Sequence, residues 1–134
     1  MSGVPPIISE CSRPFWDGLA QQRITIQRCD GCAAWVFYPR PFCPECGGRQ
    51  LTWTEVDGKA SLYTFTIAHV PVAKAFAHLD KPVLAVAELA SGVRLPTMLV
   101  DTDPARLKIG MPLVPVFDST SHPEATLLHF RPAD

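Results

Sequence analysis

Two short cysteine pairs constrain this chain more than any other feature. Cys29-Asp30-Gly31-Cys32 is followed, after ten intervening residues, by Cys43-Pro44-Glu45-Cys46. A two-residue gap lets one tight turn present two thiolates to a single ion, with the backbone N–H groups of the turn aimed at the sulfurs. Two such turns facing each other complete a four-sulfur tetrahedron, the shell that holds structural zinc with sulfurs about 2.3 Å from the metal. The spacing therefore assigns one metal site to Cys29, Cys32, Cys43 and Cys46, against a redox pair or unrelated thiols. A closed shell leaves no position for water, so one structural zinc per chain is expected and catalysis at the metal is not. Gly31, Gly47 and Gly48 fall where such turns call for unusual dihedrals. Metal binding alone does not offset the entropy of ordering the segment, so apolar packing must contribute. Trp35, Phe37, Tyr38 and Phe42 are the candidates for that small core. Cys11 lies outside the pattern and reads as an ordinary free thiol.

The rest of the composition narrows the class. The chain has 134 residues, 47% hydrophobic and 19% charged, with a formal charge of -1. That apolar content excludes disorder driven by charge, and the neutral balance argues against a protein held to nucleic acid by phosphate contacts. The N-terminus has no basic stretch followed by a signal-length apolar run, and no segment approaches about 18 apolar residues. A cytoplasmic protein with reduced cysteines and no membrane association is the expectation.

Residues 1–25 read as a flexible lead followed by a short helix, 26–52 as the cysteine ribbon, and 53–134 as a β domain. In the helix Ser12 is placed to cap, Pro14 suits the first turn, and Phe15, Trp16 and Leu19 share a face, while Gly18 weakens it. Alternation at Ile24 and Ile26 predicts a strand. Residues 51–56 form a connecting strand with Trp53. Residues 61–70 alternate, placing Tyr63, Phe65 and Ile67 on one side and Thr64 and Thr66 on the other. Residues 83–89 are almost continuously apolar, which predicts burial on both faces. Residues 93–100 form another strand that Pro96 pushes toward an edge or a bulge. Residues 103–108 make one helical turn. Residues 113–117 and 126–131 complete the set, with Pro112 and Pro115 again favouring an edge. Five short strands with a helical turn before the fourth predict a mainly β chain ending in a five-stranded OB-type Greek-key barrel, with a small β-sandwich as the competitor.

Nothing resembles a self-contained active site. His69, His78, His122 and His129 form no metal-ligand spacing, and no GxSxG or P-loop is present. Residues 71–82 are long for a strand connection and contain Lys74, Phe76 and Lys81. An apolar side chain flanked by cations suits an anionic, partly apolar ligand, and a hydrophobic lid over the barrel end fits the same residues.

These stretches resemble a known family of small proteins with an N-terminal helix, a rubredoxin-like zinc ribbon and a C-terminal OB-fold, linked to acyl-CoA metabolism. The likeness is carried by residues 15–19, 28–32 and 38–47, then by Tyr63-Thr64-Phe65-Thr66, residues 83–89, Ile109-Gly110-Met111-Pro112 and Phe130-Arg131-Pro132. It implies a non-catalytic accessory subunit of thiolase-like enzymes, among them acyl-CoA thiolases, hydroxymethylglutaryl-CoA synthase assemblies and side-chain aldolases, or of hydratases. Such a subunit helps shape a CoA or acyl-CoA site, with Phe15, Trp16, Lys74 and Phe76 as partner or CoA contacts.

Two other classes compete. A single-stranded nucleic-acid module is the main alternative, since zinc ribbons and OB-folds both serve that purpose. Its usual face, the second and third barrel strands, carries no aromatic residue and only Arg94, and residues 51–134 hold seven cations against nine acids. An independent thioesterase or hydratase ranks last, because no residue set supports it.

Overall fold

Short apolar periods separated by prolines and glycines give one helix and eight strands in the computed structural model, which describes residues 7–69, 82–122 and 125–133. Contacts divide the chain into two units, Ile7–Asp57 and Gly58–Asp134.

The first unit opens with α1 (Arg13–Ala20), whose buried residues Phe15, Gly18 and Leu19 recur at helical spacing. Ser12 sits at the N-cap, but its hydroxyl does not cap the helix. It instead exchanges hydrogen bonds with Ser9, whose N–H and Oγ both lie 3.0 Å from Ser12 Oγ. Gly18 is a packing requirement more than a weakness. A Cβ there would meet Arg23 O at 3.1 Å and Thr25 Oγ1 at 3.2 Å, so glycine lets α1 close on the following strand. That strand, β1 (Ile24–Cys29), is central to an antiparallel sheet of order β2-β1-β3, with β2 (Trp35–Val36) and β3 (Leu51–Val56) beside it.

The second unit is a closed barrel of order β4-β5-β6-β8-β7. Its strands are β4 (Ala60–Ile67), β5 (Val83–Leu89), β6 (Arg94–Leu99), β7 (Pro112–His122) and β8 (Ala125–Pro132), with a 3-10 turn at Pro104–Arg106 before β7. Only β6 and β8 run parallel, at Leu99 and Phe130. This is the five-stranded OB-type closure, and the sandwich alternative falls. Leu62, Ala87, Leu95, Leu99, Leu113 and Phe130 fill the interior.

Two expectations change and one holds. β5 is not buried on both faces: Val83, Ala85, Ala87 and Leu89 point inward while Leu84 is exposed, because a barrel has one inner surface. In β4 the register with β5 shifts between Leu62 and Thr64. This bulge turns Tyr63 out of the Phe65 and Ile67 face and brings Leu62 into the core. The prolines lie on edge-like stretches, as expected, since β6 pairs with β8 only at Leu99 and β7 pairs with β4 only at Pro112 and Leu113. The Leu89 N–H bond to Val93 O sets the phase of the β5–β6 ladder, which places Pro96, opposite Val86, in a non-hydrogen-bonded pair. The Ala133 N–H bond to Pro112 O does the same for β7–β8, and Pro115 and Pro132 fall in the non-bonded phase. In each case the missing N–H faces away from the partner strand.

Asp118 organises an irregularity between Asp118 and His122 in the β7–β8 register. Its carboxylate accepts from the N–H groups of Thr120 (3.0 Å) and Ser121 (3.1 Å) and from both hydroxyls, and lies 3.4 Å from His129 Nε2. Burial raises the Asp118 pKa, but the donors from Ser121 and Thr120 outweigh it and hold the acid well below the usual carboxylate range. Burial lowers the His129 pKa more than the Asp118 charge raises it. Both folded-state values lie below their unfolded ones, so both groups contribute stability that is present at neutral pH and lost as pH falls. The loss begins below about 6.5 for the histidine and about 4 for the acid. Thermal melts followed by circular dichroism are expected to show a midpoint that drops in both windows. Asp118→Asn should be less stable at neutral pH and should lose the drop below about pH 4, while the drop in the histidine window deepens, because the Asp118 charge that raises the His129 pKa is gone.

Candidate metal centre

The four cysteines converge as the spacing requires. Their sulfurs all lie within 4.8 Å of one another. Cys29 Sγ and Cys46 Sγ are 3.6 Å apart, and Cys32 Sγ and Cys43 Sγ 3.7 Å. A tetrahedron with 2.3 Å metal–sulfur bonds has edges of about 3.8 Å, so these two edges match one zinc ion and no other exceeds that length by more than about 1 Å.

The two turns are built alike. Ala33 N–H donates to Cys29 O at 2.9 Å and Gly47 N–H to Cys43 O at 2.8 Å. Each turn then closes on itself, Cys29 N–H to Ala34 O at 2.8 Å and Cys43 N–H to Gly48 O at 2.7 Å. The residue after the second cysteine is left-handed in both, φ +64° at Ala33 and +78° at Gly47. Of the three glycines singled out, Gly47 alone has the unusual dihedral. A Cβ on Gly48 would press on Cys46 Sγ at 3.3 Å and Cys29 Sγ at 3.6 Å, so its role is to clear space for sulfur.

The surroundings differ between the turns. The first is tied to β3 by Asp30 N–H to Gln50 O at 2.8 Å and Thr52 Oγ1 to Asp30 at 2.8 Å. The second is held through Gln27, a buried residue of β1, whose Nε2 donates to Arg40 O at 2.9 Å and whose Oε1 accepts from Arg40 N–H at 2.8 Å. Sequence reasoning missed Gln27, because a polar residue in a strand carries no signal for a partner thirteen positions away. Cys29, Val36 and Cys43 form the buried cluster, with Ala34 and Leu51 against it. Tyr38 and Phe42 are exposed and take no part in that core, contrary to expectation, while Phe37 packs edge-on to Phe15 at 5.7 Å.

The electrostatics call for a cation. The Cys32 N–H favours the Cys29 thiolate and, against burial, brings its pKa down to about 7. The Ala34 N–H favours the Cys32 thiolate too, but burial and the sulfurs of Cys46, Cys43 and Cys29 push that thiol up to about 12. Four thiolates cannot share this volume unless a metal replaces the protons between them. Metal uptake therefore releases protons, and affinity falls as pH falls.

The other singled-out residues lie apart. Phe15 is only 5% exposed and belongs to the core of its own unit, while Trp16 is half-buried. Lys74 and Phe76 lie outside the described residues. Tyr63, turned out by its bulge, is covered by Arg94, whose guanidinium carbon is 3.9 Å from the ring centroid and whose Nε is 3.0 Å from Glu88. Ser121, Asp118 and His129 form no catalytic triad, since the acid sits at the centre and binds the hydroxyl itself. No helix among the described residues is long and apolar enough to cross a membrane.

A four-thiolate ribbon joined to a five-stranded barrel defines a zinc-ribbon/OB-fold protein. Residues 16–52 match the rubredoxin-like zinc ribbon domain of ChsH2, and residues 53–118 its C-terminal OB-fold domain. The chain belongs to the ChsH2 family. A chain of the solved Ltp2-ChsH2(DUF35) aldolase is 36% identical, with a TM-score of 0.85 over 97% of this chain and 100% of that one. A probable enoyl-CoA hydratase alpha subunit of Thermomonospora curvata is 37% identical over 129 residues, 96% of this chain and 39% of the relative. A DUF35 domain-containing scaffold protein of Methanocaldococcus jannaschii is 35% identical over 92 residues, 67% of this chain and 64% of the relative. The chain thus spans less than two thirds of these two relatives.

Cys43→Ser should lose the zinc and cost several kcal/mol, enough to unfold the ribbon. Elemental analysis against chain concentration checks the first, and melting with and without chelator the second. Unchanged stability after complete chelation would contradict a structural metal. Ala33→Gly should stabilise the ribbon by about 1 kcal/mol by relieving a left-handed alanine, and Gly47→Ala should cost a similar amount, both read from denaturant midpoints of the zinc-loaded protein.

Proposed function

We propose that the chain is a non-catalytic accessory subunit that binds a thiolase-like or hydratase enzyme and helps form its acyl-CoA site. The observation that carries this reading is the likeness, along 97% of the chain, to a chain of the Ltp2-ChsH2(DUF35) aldolase. The scaffold name of the Methanocaldococcus relative supports it. So does the hydratase alpha subunit, in which a stretch similar to almost all of this chain lies within a much longer protein. The metal shell has all four positions taken by sulfur, which leaves no open coordination site for a substrate. Trp16 is the contact on α1, with Phe15 supporting it from beneath. Lys74 and Phe76, outside the described residues, remain the proposed contacts to the partner or to CoA.

Co-expression with a thiolase-like or hydratase protein should yield a single complex on size-exclusion chromatography. The isolated chain should not turn over acyl-CoA. Failure to bind either class of enzyme would overturn the reading. Tight, salt-sensitive binding of labelled oligonucleotides would replace it with the nucleic-acid one.

A further inference from the structure

The segment Tyr38-Pro39-Arg40-Pro41-Phe42 combines two properties that rarely meet: a fixed backbone and exposed apolar rings. Tyr38 is 46% exposed and Phe42 42%, and Arg40 between them is exposed as well. The two prolines restrict φ within the segment. Gln27, 5% exposed, grips Arg40 by both its N–H and its C=O. Cys43 follows at once and is fully buried as a metal ligand. The main chain is thus held from both sides while alternate side chains project outward.

The projecting residues have a common chemistry. Tyrosine, arginine and phenylalanine are enriched at protein–protein contacts, where large rings bury area and arginine supplies directed charge. Rings exposed on a mobile loop would lose entropy on binding, and a fixed loop avoids that cost. The Arg40 guanidinium has no ion pair and no side-chain hydrogen bond among the described residues, unlike Arg23 and Arg94, which pair with Glu55 and Glu88. The apolar surface also continues inward as a row of rings in edge contact. Tyr38 meets Phe37 at 5.3 Å, Phe37 meets Phe15 at 5.7 Å, and Phe15 meets Trp16 at 5.4 Å. Any load on Tyr38 therefore falls on the ribbon's own core.

We infer that residues 38–42 form a preorganised docking finger that seats in an apolar cleft of a protein partner containing an aspartate or glutamate, which Arg40 engages. This inference rests on the accessory-subunit reading and adds to it the surface used and the chemistry of the partner site. An unpaired cation between two exposed rings is complementary to a carboxylate between apolar walls. A phosphate ligand would be met by several cations, and this segment offers one.

The test uses the zinc-loaded full chain and the thiolase-like or hydratase protein that co-purifies with it. Arg40→Glu and Tyr38→Ala should each weaken the complex by about tenfold to a hundredfold in Kd. Zinc content and circular dichroism should be unchanged, because neither side chain is buried or touches the sulfurs. Tyr63→Ala, on the barrel exterior, should bind as wild type does. Hydrogen exchange on the unsubstituted chain gives a second reading independent of any variant: residues 38–42 should gain protection in the complex. A wild-type complex that tolerates Arg40→Glu within twofold, or shows no protection at residues 38–42, overturns the finger and leaves the accessory role standing. If the wild-type chain binds neither enzyme class, the accessory reading fails and the finger with it.

Discussion

Four sulfurs within 4.8 Å of one another can all be ligands only if a cation lies among them, and the first unit is organised around that requirement. The apolar cluster beside the sulfurs is small, little more than Val36, Ala34 and Leu51 with the buried cysteines themselves. The first turn gains support from β3. The second has its own turn bonds and the grip of Gln27 on Arg40. Metal binding and ordering of the second turn are therefore one event in free-energy terms. The barrel follows a different logic. Alternate inward residues of β5 and β6, with Leu62, Leu113 and Phe130, give it an apolar interior of ordinary protein type.

What was legible in the sequence was what short-range chemistry dictates. Metal ligation demands cysteine at fixed spacing, so the ligand set could be read directly. Period-two alternation placed the barrel strands, and their number with the helical turn pointed to the OB closure. What escaped depends on register and on contacts distant in sequence. The bulge that turns out Tyr63 exists only in the pairing of β4 with β5. The Gln27 grip joins a strand to a loop thirteen residues later. Ser12 has the identity of a cap, yet Ser9 holds its hydroxyl. Tyr38 and Phe42 look like core by composition, and only the fold shows them in solvent.

Function was less legible than fold, for a physical reason. Catalysis leaves marks in a sequence because acids, bases and nucleophiles must meet at set distances. Assembly leaves a diffuse mark, a few large side chains on the outside of a stable frame. Here the helix illustrates the difficulty. Phe15 and Trp16 are neighbours in sequence and look equivalent, but one lies in the core of its own unit and the other is half-buried at its surface. The family relationship carried the functional reading, and the geometry then distinguished which aromatic residues are available for it.

The prolines in the barrel strands bear on how this fold avoids its nearest errors. Pro96, Pro115 and Pro132 all occupy the phase of the ladder that needs no donor toward the partner strand. Sliding any of these strands by one residue would exchange the two phases and set a proline nitrogen against a carbonyl, with no hydrogen to offer. The same slip would carry the inner apolar residues to the outside. Pro96 and Pro132 therefore act against the one-residue slip of β6 and β8: each adds little to the correct pairing and penalises the adjacent one, whereas in β7 the effect is divided, because Pro112 already stands in the bonded phase and a slip would relieve it while it penalised Pro115.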